Sequence, residues 1–433
     1  MGPSTSSASL ASGARPSGTW RCAIKRLREP RPAPRALDRL VLTRNEKEDN
    51  IAGLPRESSE AARRVSMVLA NLPRVAAISL VAVAIAACGP SSSGTATSKW
   101  KIALMSATGT LLDHNFSQYS WEGAKKGAAD IGAKDPATVV PKDSTDYDKD
   151  IQTFVDAGYN LIVTVAFDEG TATTKAAKKN PNVTFIGVDQ SPICVDEQGN
   201  ADSTFACKGD ASKLLPNYSS LWFEEDQPGY LVGMVAASIS KTGVVAGVGG
   251  INVIPPVVRY LQGFELGAKS INPNIKVETS YVTTSDFTKA FNDPVAGKVL
   301  GAQLISQTHA DVLFQVAGKT GNGVLDAACA ANVFAIGVDV DQYLSYPNAD
   351  PCIVTSAEKH LSNAVEAAIK SVNAGTQKPG DSLFNAANNG IGISPFHGKD
   401  NLISADLQAK LAAALKGMKD GSLKTCPAKC GQA

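Results

Sequence analysis

The sequence predicts an α/β protein built from two doubly wound lobes, on three observations. From Ser98 onward, apolar strand-like runs alternate with helix-like periods. The strands are continuous Val/Ile/Leu runs instead of in/out alternations, which is how parallel strands covered on both faces read. The alternation breaks at a Cys-bearing loop and "SSLWFEED", then starts again, and the roughly 335 residues from Ser98 onward suit two domains.

The first 66 residues stand apart. They hold eleven arginines, whereas Cys88–Ala433 holds one, Arg259. Rich in Pro, Ser and Ala and without apolar period, this segment cannot bury enough surface to offset its ordering entropy. It reads as a disordered extension, or as sequence preceding a true start at Met67. Residues 67–88 read as an export signal. Thirteen uncharged residues, Val75–Ala87, follow Arg74, short of the ~20 that a membrane span needs. The run ends in Ile85-Ala86-Ala87-Cys88, which resembles a bacterial lipobox. That resemblance implies cleavage before Cys88, acyl (palmitate) chains on it, and an extracytoplasmic protein anchored to the cell membrane. Residues 89–98 form a Ser/Gly-rich tether.

The whole chain carries +1, but from Cys88 on the balance is about −6, which argues against nucleic acid as a partner. Six cysteines remain there: Cys194, Cys207, Cys329, Cys352, Cys426 and Cys430. An even number in an exported chain is compatible with disulfides. Nearest-neighbour pairing is the simplest of the fifteen connectivities that six cysteines allow.

In the first series, strand Lys101–Ala107 precedes a helix over Phe116–Ala129. Strand "ATVVPKD" and a helix near Tyr147–Ala157 come next, then strand Asn160–Phe167, helix Gly170–Lys179 and strand Val183–Asp189. The second series runs helix Gly229–Ser240, strand "GVVAGVGG", helix Pro256–Ser270, strand "IKVETSYV", helix Pro294–Thr308, strand "DVLFQVAG", helix Gly323–Ala331 and strand "VFAIGVD". Val257, Leu261, Phe264 and Ala268 give the Pro256–Ser270 helix one apolar face.

Ligands of doubly wound sheets sit beyond the carboxyl ends of the strands. Those positions hold Asp113, Asn115 and Phe116, then Asp168, Asp189, Gly318, Lys319, Thr320, Asp339 and Asp341. The four histidines show no metal or triad spacing. "AGKTGNG" (Ala317–Gly323) contains GKT but has Leu313 where a phosphate loop needs its first glycine. "VAGVGG" lacks the third glycine of a dinucleotide loop, and no G-x-S-x-G elbow occurs. The reading is a binding protein without cofactor or metal, not an enzyme.

Seven segments in order then carry a resemblance to the basic membrane protein family of lipoprotein substrate-binding proteins, whose best-known members are purine nucleoside receptors. They are "DHNFSQYSWEGAKKGA", "FEEDQPGYLVGMVAA", "GGINVIPPVVRYLQGFELGA", "AFNDPVAGK", "VAGKTGNGVLDAA", "IGVDVDQ" and "VTSAEKHLSNAV". The resemblance implies a type I periplasmic-binding-protein fold, two lobes joined by three crossovers with the ligand cleft between. Lobe one would span 99–222 plus 352–383, lobe two 223–351 plus 384–425, and 426–433 would be a tail. It also implies a monomer that hands a purine nucleoside to an ABC permease and its ATPase.

For the site, the resemblance implies a base held between Phe116 and Phe291 and ribose hydroxyls held by acidic residues. Asp113, Asp168, Asp339 and Lys359 match the family motifs, and Gly318 is a close-approach glycine. Phe287 rivals Phe291, and Asp341 is expected as a helix cap. Lys359 is expected in the first turn of a helix started by Thr355 and Glu358, and Arg259 on the surface. One position departs from the family: Asn usually follows the first Phe, whereas here Ser117 does, with Asn115 preceding it. A single rotatable hydroxyl replaces an amide's fixed donor and acceptor. A sugar or polyol receptor of the same fold, or a sensor signalling to a membrane partner, is compatible with the same residues.

Overall fold

The computed structural model describes residues 98–106 and 110–432. The extension 1–66, the signal 67–88 and Cys88 lie outside them. Lobe one opens with β1 (Ile102–Ser106), α1 (Phe116–Asp130), β2 (Ala137–Val139), α2 (Tyr147–Asp156) and β3 (Leu161–Val165). It continues through α3 (Gly170–Lys179), β4 (Thr184–Val188), α4 (Ala211–Leu214) and β5 (Tyr218–Phe223). Lobe two follows with α5 (Asp226–Ile239), β6 (Val244–Ile251), α6 (Pro255–Ile271), β7 (Lys276–Thr283), α7 (Phe287–Asn292) and α8 (Pro294–Thr308). Then come β8 (Val312–Val316), α9 (Gly318–Ala330), β9 (Phe334–Asp339), α10 (Gln342–Ser345) and β10 (Ile353–Lys359). The chain returns to lobe one for α11 (Leu361–Ala374) and β11 (Gly380–Phe384), and to lobe two for β12 (Ile391–Ile393) and α12 (Ala405–Lys419).

Each lobe holds one six-stranded sheet, ordered β11-β5-β4-β3-β1-β2 and β12-β10-β9-β8-β6-β7. Every pairing is parallel except β10 with β12. β1, β3 and β8 are buried at every residue, as their unbroken apolar runs require. The chain therefore crosses between the sheets three times, after Phe223, after Lys359 and after Phe384.

The second crossover corrects the sequence-derived boundary at 352. Residues 353–359 form no helix start; they extend the second sheet, with Ile353 opposite Ala335 and Glu358 opposite Asp339. Thr355 resembles a cap in sequence, but its hydroxyl donates to Ser394 O at 2.7 Å, and Ser394 Oγ accepts from Ser356 N at 2.8 Å. Partners on a distant segment thus satisfy the polar groups that would otherwise favour a helix turn.

Helices α5 and α6 approach closely because both carry a Gly-x-x-x-Gly spacing, Gly229/Gly233 and Gly263/Gly267. A Cβ on any of the four would strike backbone of the facing helix. This contact brings the start of α5 against the first turns of α6, where the buried ionic centre lies. Three disulfides, Cys194–Cys207, Cys329–Cys352 and Cys426–Cys430, follow nearest-neighbour pairing. The 426–432 segment is docked, since Gly431 N donates to Gln262 Oε1 at 2.8 Å and Gln262 Nε2 to Gln432 O at 2.8 Å. Among the described residues no helix is long and apolar enough to cross a membrane.

Candidate functional site

A cleft enclosing about 830 Å³, partly continuous with solvent, lies where the carboxyl ends of the two sheets face each other. Lobe one supplies Asp113, Phe116, Ser117, Asp168 and Asp189; lobe two supplies Phe291, Gly318, Asp339 and Lys359. Phe287 lines the cleft as well, so the two rival phenylalanines of α7 both reach it. Asn115 does not: it is fully buried outside the lining, with neither amide atom hydrogen-bonded.

The loop before α1 is organised by the Asp113 carboxylate, which accepts from the N–H groups of Asn115 (2.9 Å), Ser117 (2.8 Å) and Gln118 (3.1 Å). These otherwise orphaned helix-start donors explain why an aspartate stands there. Burial pushes its carboxyl up, and the N–H bonds oppose the rise. Asp168 accepts from the Tyr147 hydroxyl at 2.5 Å; burial raises it and that bond opposes.

Lys359 ends β10 instead of opening a helix, so its side chain enters the centre of the molecule, only 3% exposed. Its Nζ lies 2.5 Å from Asp189, 3.5 Å from Asp339 and 3.6 Å from Glu225. It also sits 4.9 Å from the centre of the Phe116 ring, within cation–π range. Burial disfavours its charge, but the three carboxylates outweigh that and hold it above the ordinary lysine range. Burial pushes Asp189 up to about 6, with Lys359 opposing and Glu225 adding to the rise. Asp339 is raised by burial and opposed by Lys359.

Arg259, expected on the surface, is buried and donates through Nε to Glu225 at 2.6 Å. Burial works against its charge, yet Glu225 keeps it above its usual value. Asp341 stands at the start of α10 without capping it; its carboxylate instead meets His397 Nε2 at 2.7 Å. Gly318 has φ +51, a conformation that disfavours a side chain.

Glu225, Tyr260 and Arg259 escaped the sequence reading of the site. Tyr260 donates toward Asp339 Oδ1 (3.2 Å) and Ala357 O (3.3 Å). A signal for Asp189 did exist: Ile-Gly-Val-Asp occurs twice, at 186–189 and 336–339, each time at a strand end. The arrangement offers aromatic faces from both lobes, carboxylates beside them and one central cation. Asp226 approaches Cys426 and Cys430, but those sulfurs are bonded to each other and supply no thiolate for a metal.

Residues 100–422 match the family described as ABC transporter substrate-binding protein PnrA-like (Bmp). An ABC transporter nucleoside-binding protein BmpA from Lactococcus lactis subsp. cremoris (strain MG1363) is 27% identical over 379 residues, 82% of this chain and 98% of that one. A CD4+ T-cell-stimulating antigen from Listeria monocytogenes serovar 1/2a is 28% identical over 366 residues, 79% of this chain and 94% of that one. An ABC transporter solute-binding protein structure from Aeropyrum pernix K1 superposes with a TM-score of 0.63 at 22% identity, covering 75% of this chain and 92% of the other.

Proposed function

The chain belongs to the Bmp family of PnrA-like ABC transporter substrate-binding proteins, and from that premise we propose that it is a lipid-anchored extracytoplasmic receptor that captures a purine nucleoside and delivers it to an ABC permease. The observation that carries the ligand reading is the cleft lining: Phe116 and Phe291 come from opposite lobes, with Asp168 and Asp339 beside them. A flat heterocycle gains about 0.5–1.5 kcal/mol per stacked ring pair, and a carboxylate accepts strongly from hydroxyls. A relative whose name states nucleoside binding supports the same reading.

Capture works by hinge closure. Ligand contacts drawn from both lobes are made together only when the cleft is shut, so binding shifts the open–closed population. The acyl chains on Cys88 keep the receptor at the membrane, and the partner ATPase supplies the energy of transport. The residues in the cleft bind and orient; none is assigned a bond-breaking role.

The test is a thermal-shift and calorimetry panel of inosine, guanosine, adenosine, free bases, pentoses and hexoses. A ligand at 100 times its Kd adds about 2.7 kcal/mol, so a rise with purine nucleosides alone is the expected result. Ser117 and the carboxylates Asp113, Asp168, Asp189 and Asp339 in the lining favour a sugar as the second reading. A shift with pentoses or hexoses and none with nucleosides would establish it. For the anchor, wild-type cells fed labelled palmitate should incorporate it into the protein, and C88A cells should not.

A further inference from the structure

The motif "AGKTGNG" is no phosphate loop, yet its glycines are used for packing. A Cβ on Gly321 would collide with the Gln315 side-chain amide, and one on Gly323 with Pro294 O. Between them, Asn322 is 4% exposed and belongs to a chain of buried amides. Gln315 Nε2 donates to Gln342 Oε1 at 2.5 Å, and Gln342 Nε2 donates to Asn322 Oδ1 at 3.1 Å. Asn322 Nδ2 then leaves lobe two and donates to Asp113 O of lobe one at 3.2 Å. The next carbonyl along, His114 O, accepts from the Ser345 hydroxyl of α10 at 2.7 Å.

Two consecutive carbonyls of one lobe-one loop are thus held by two elements of lobe two. His114 has φ +60, a backbone conformation uncommon for a residue with a side chain. The His114 ring also lies 5.9 Å from that of Tyr346. The other side of the same loop carries Asp113, Phe116 and Ser117 into the cleft.

We propose that Asn322 and Ser345 are positioning residues that latch lobe two onto the Asp113–His114 carbonyls when the cleft closes, so that the loop carrying the ligand-facing residues is itself the catch. This rests on the reading of the protein as a hinge-closing receptor. The Gln315–Gln342–Asn322 chain fixes the latch amide to the lobe-two sheet, so that a fixed donor meets the incoming loop. An unsatisfied buried amide is costly, and opening the lobes would leave Asn322 Nδ2 to water.

The test is amide hydrogen exchange on the full chain with and without inosine, for wild type, N322A, S345A and S345T, with inosine calorimetry in parallel. In whichever condition wild type protects residues 110–118, N322A and S345A should exchange there about five-fold faster per lost hydrogen bond. Strands 312–316 and 334–339 should be unchanged, and S345T should match wild type. Unchanged exchange in both variants would overturn the latch. So would a wild type already unprotected at 110–118 in both conditions, or loosening that spreads through the lobe-two sheet in both variants. A wild type that ignores inosine but keeps the protected, variant-sensitive loop would sink the nucleoside reading and leave the latch standing.

Discussion

The two lobes repeat one device and then use it differently. Ile-Gly-Val-Asp closes β9 and runs one residue past the end of β4, and the two aspartates, Asp189 and Asp339, share a left-handed backbone, φ 60 and 64. Each strand is followed by a buried glutamine, and Gly187 and Gly337 leave the space those glutamines fill. In lobe one Gln190 bonds only locally: its Nε2 donates to Thr164 Oγ1 (3.1 Å) and Ala166 O (3.1 Å), and its Oε1 accepts from Tyr218 (2.5 Å). In lobe two Gln342 passes its amide on to Asn322 and so to the opposite lobe. Lys359, also from lobe two, pairs more closely with Asp189 across the cleft than with its neighbour Asp339. Lobe one is therefore the receiving half and lobe two the reaching half, although their five inner-series strands follow the same order and differ only in the direction of the added edge strand.

Removing the reaching cation should break the comparison most severely. K359M leaves Asp189, Asp339 and Glu225 buried around an apolar chain and should cost about 3–5 kcal/mol in chemical denaturation; a loss under about 1 kcal/mol would mean that the centre is not ionic in solution. The paired glycines sharpen the contrast. G187A and G337A should each lose about 1–3 kcal/mol through overpacking, but only G337A should also speed exchange at residues 110–118, because Gln342 feeds the latch.

A third contrast is pH. Asp189 sits at about 6 in the fold against an ordinary 3.8, so between those values the folded protein keeps a proton that the unfolded chain has released. Its contribution is fully present below about pH 4 and is lost as pH rises through 6, at up to about 1.4 kcal/mol per unit. The groups facing it are Lys359, Glu225 and Asp339. D189N should flatten that part of the stability–pH profile; Asp226, also pushed to about 6 by burial, leaves a residual slope of the same sign. The smallest effect belongs to the tyrosines pinning a cleft aspartate in each lobe. Y147F and Y260F should each cost about 1 kcal/mol, measured by thermal melting, with Y260F the milder because its hydroxyl divides between two acceptors at 3.2 and 3.3 Å.

Local signals were legible in the sequence where the chain is self-sufficient. Gly170–Lys179 and Pro294–Thr308 form helices with the expected ends; Asp293 caps the second by accepting from Ala296 N at 3.0 Å, ahead of a proline at the first helical position. What sequence could not show depends on partners far along the chain. β10 is a strand because Ser394 and β9 satisfy it, and Arg259 is buried because Glu225 stands opposite. α9 begins five residues before the expected Gly323, at Gly318, since packing overrides the weak helix preference of a glycine-rich start. Phe116 and the cleft aspartates were visible as strand-end residues, and Phe291 through the family resemblance alone; the lysine that binds the two halves was visible as a residue and misplaced as a helix turn.

The threading of the chain has a consequence for how the molecule is made. Lobe one closes its sheet only when Gly380 pairs with Ser219, and the second sheet receives its edge only when Ile391 reaches Lys359. A ribosome that has finished residues 98–350 has therefore supplied neither lobe with its full set of strands. Contacts this distant in sequence form slowly, so each sheet gains its last strand only after nearly the whole chain has been made, and a chain cut before Gly380 would leave β5 as an open edge.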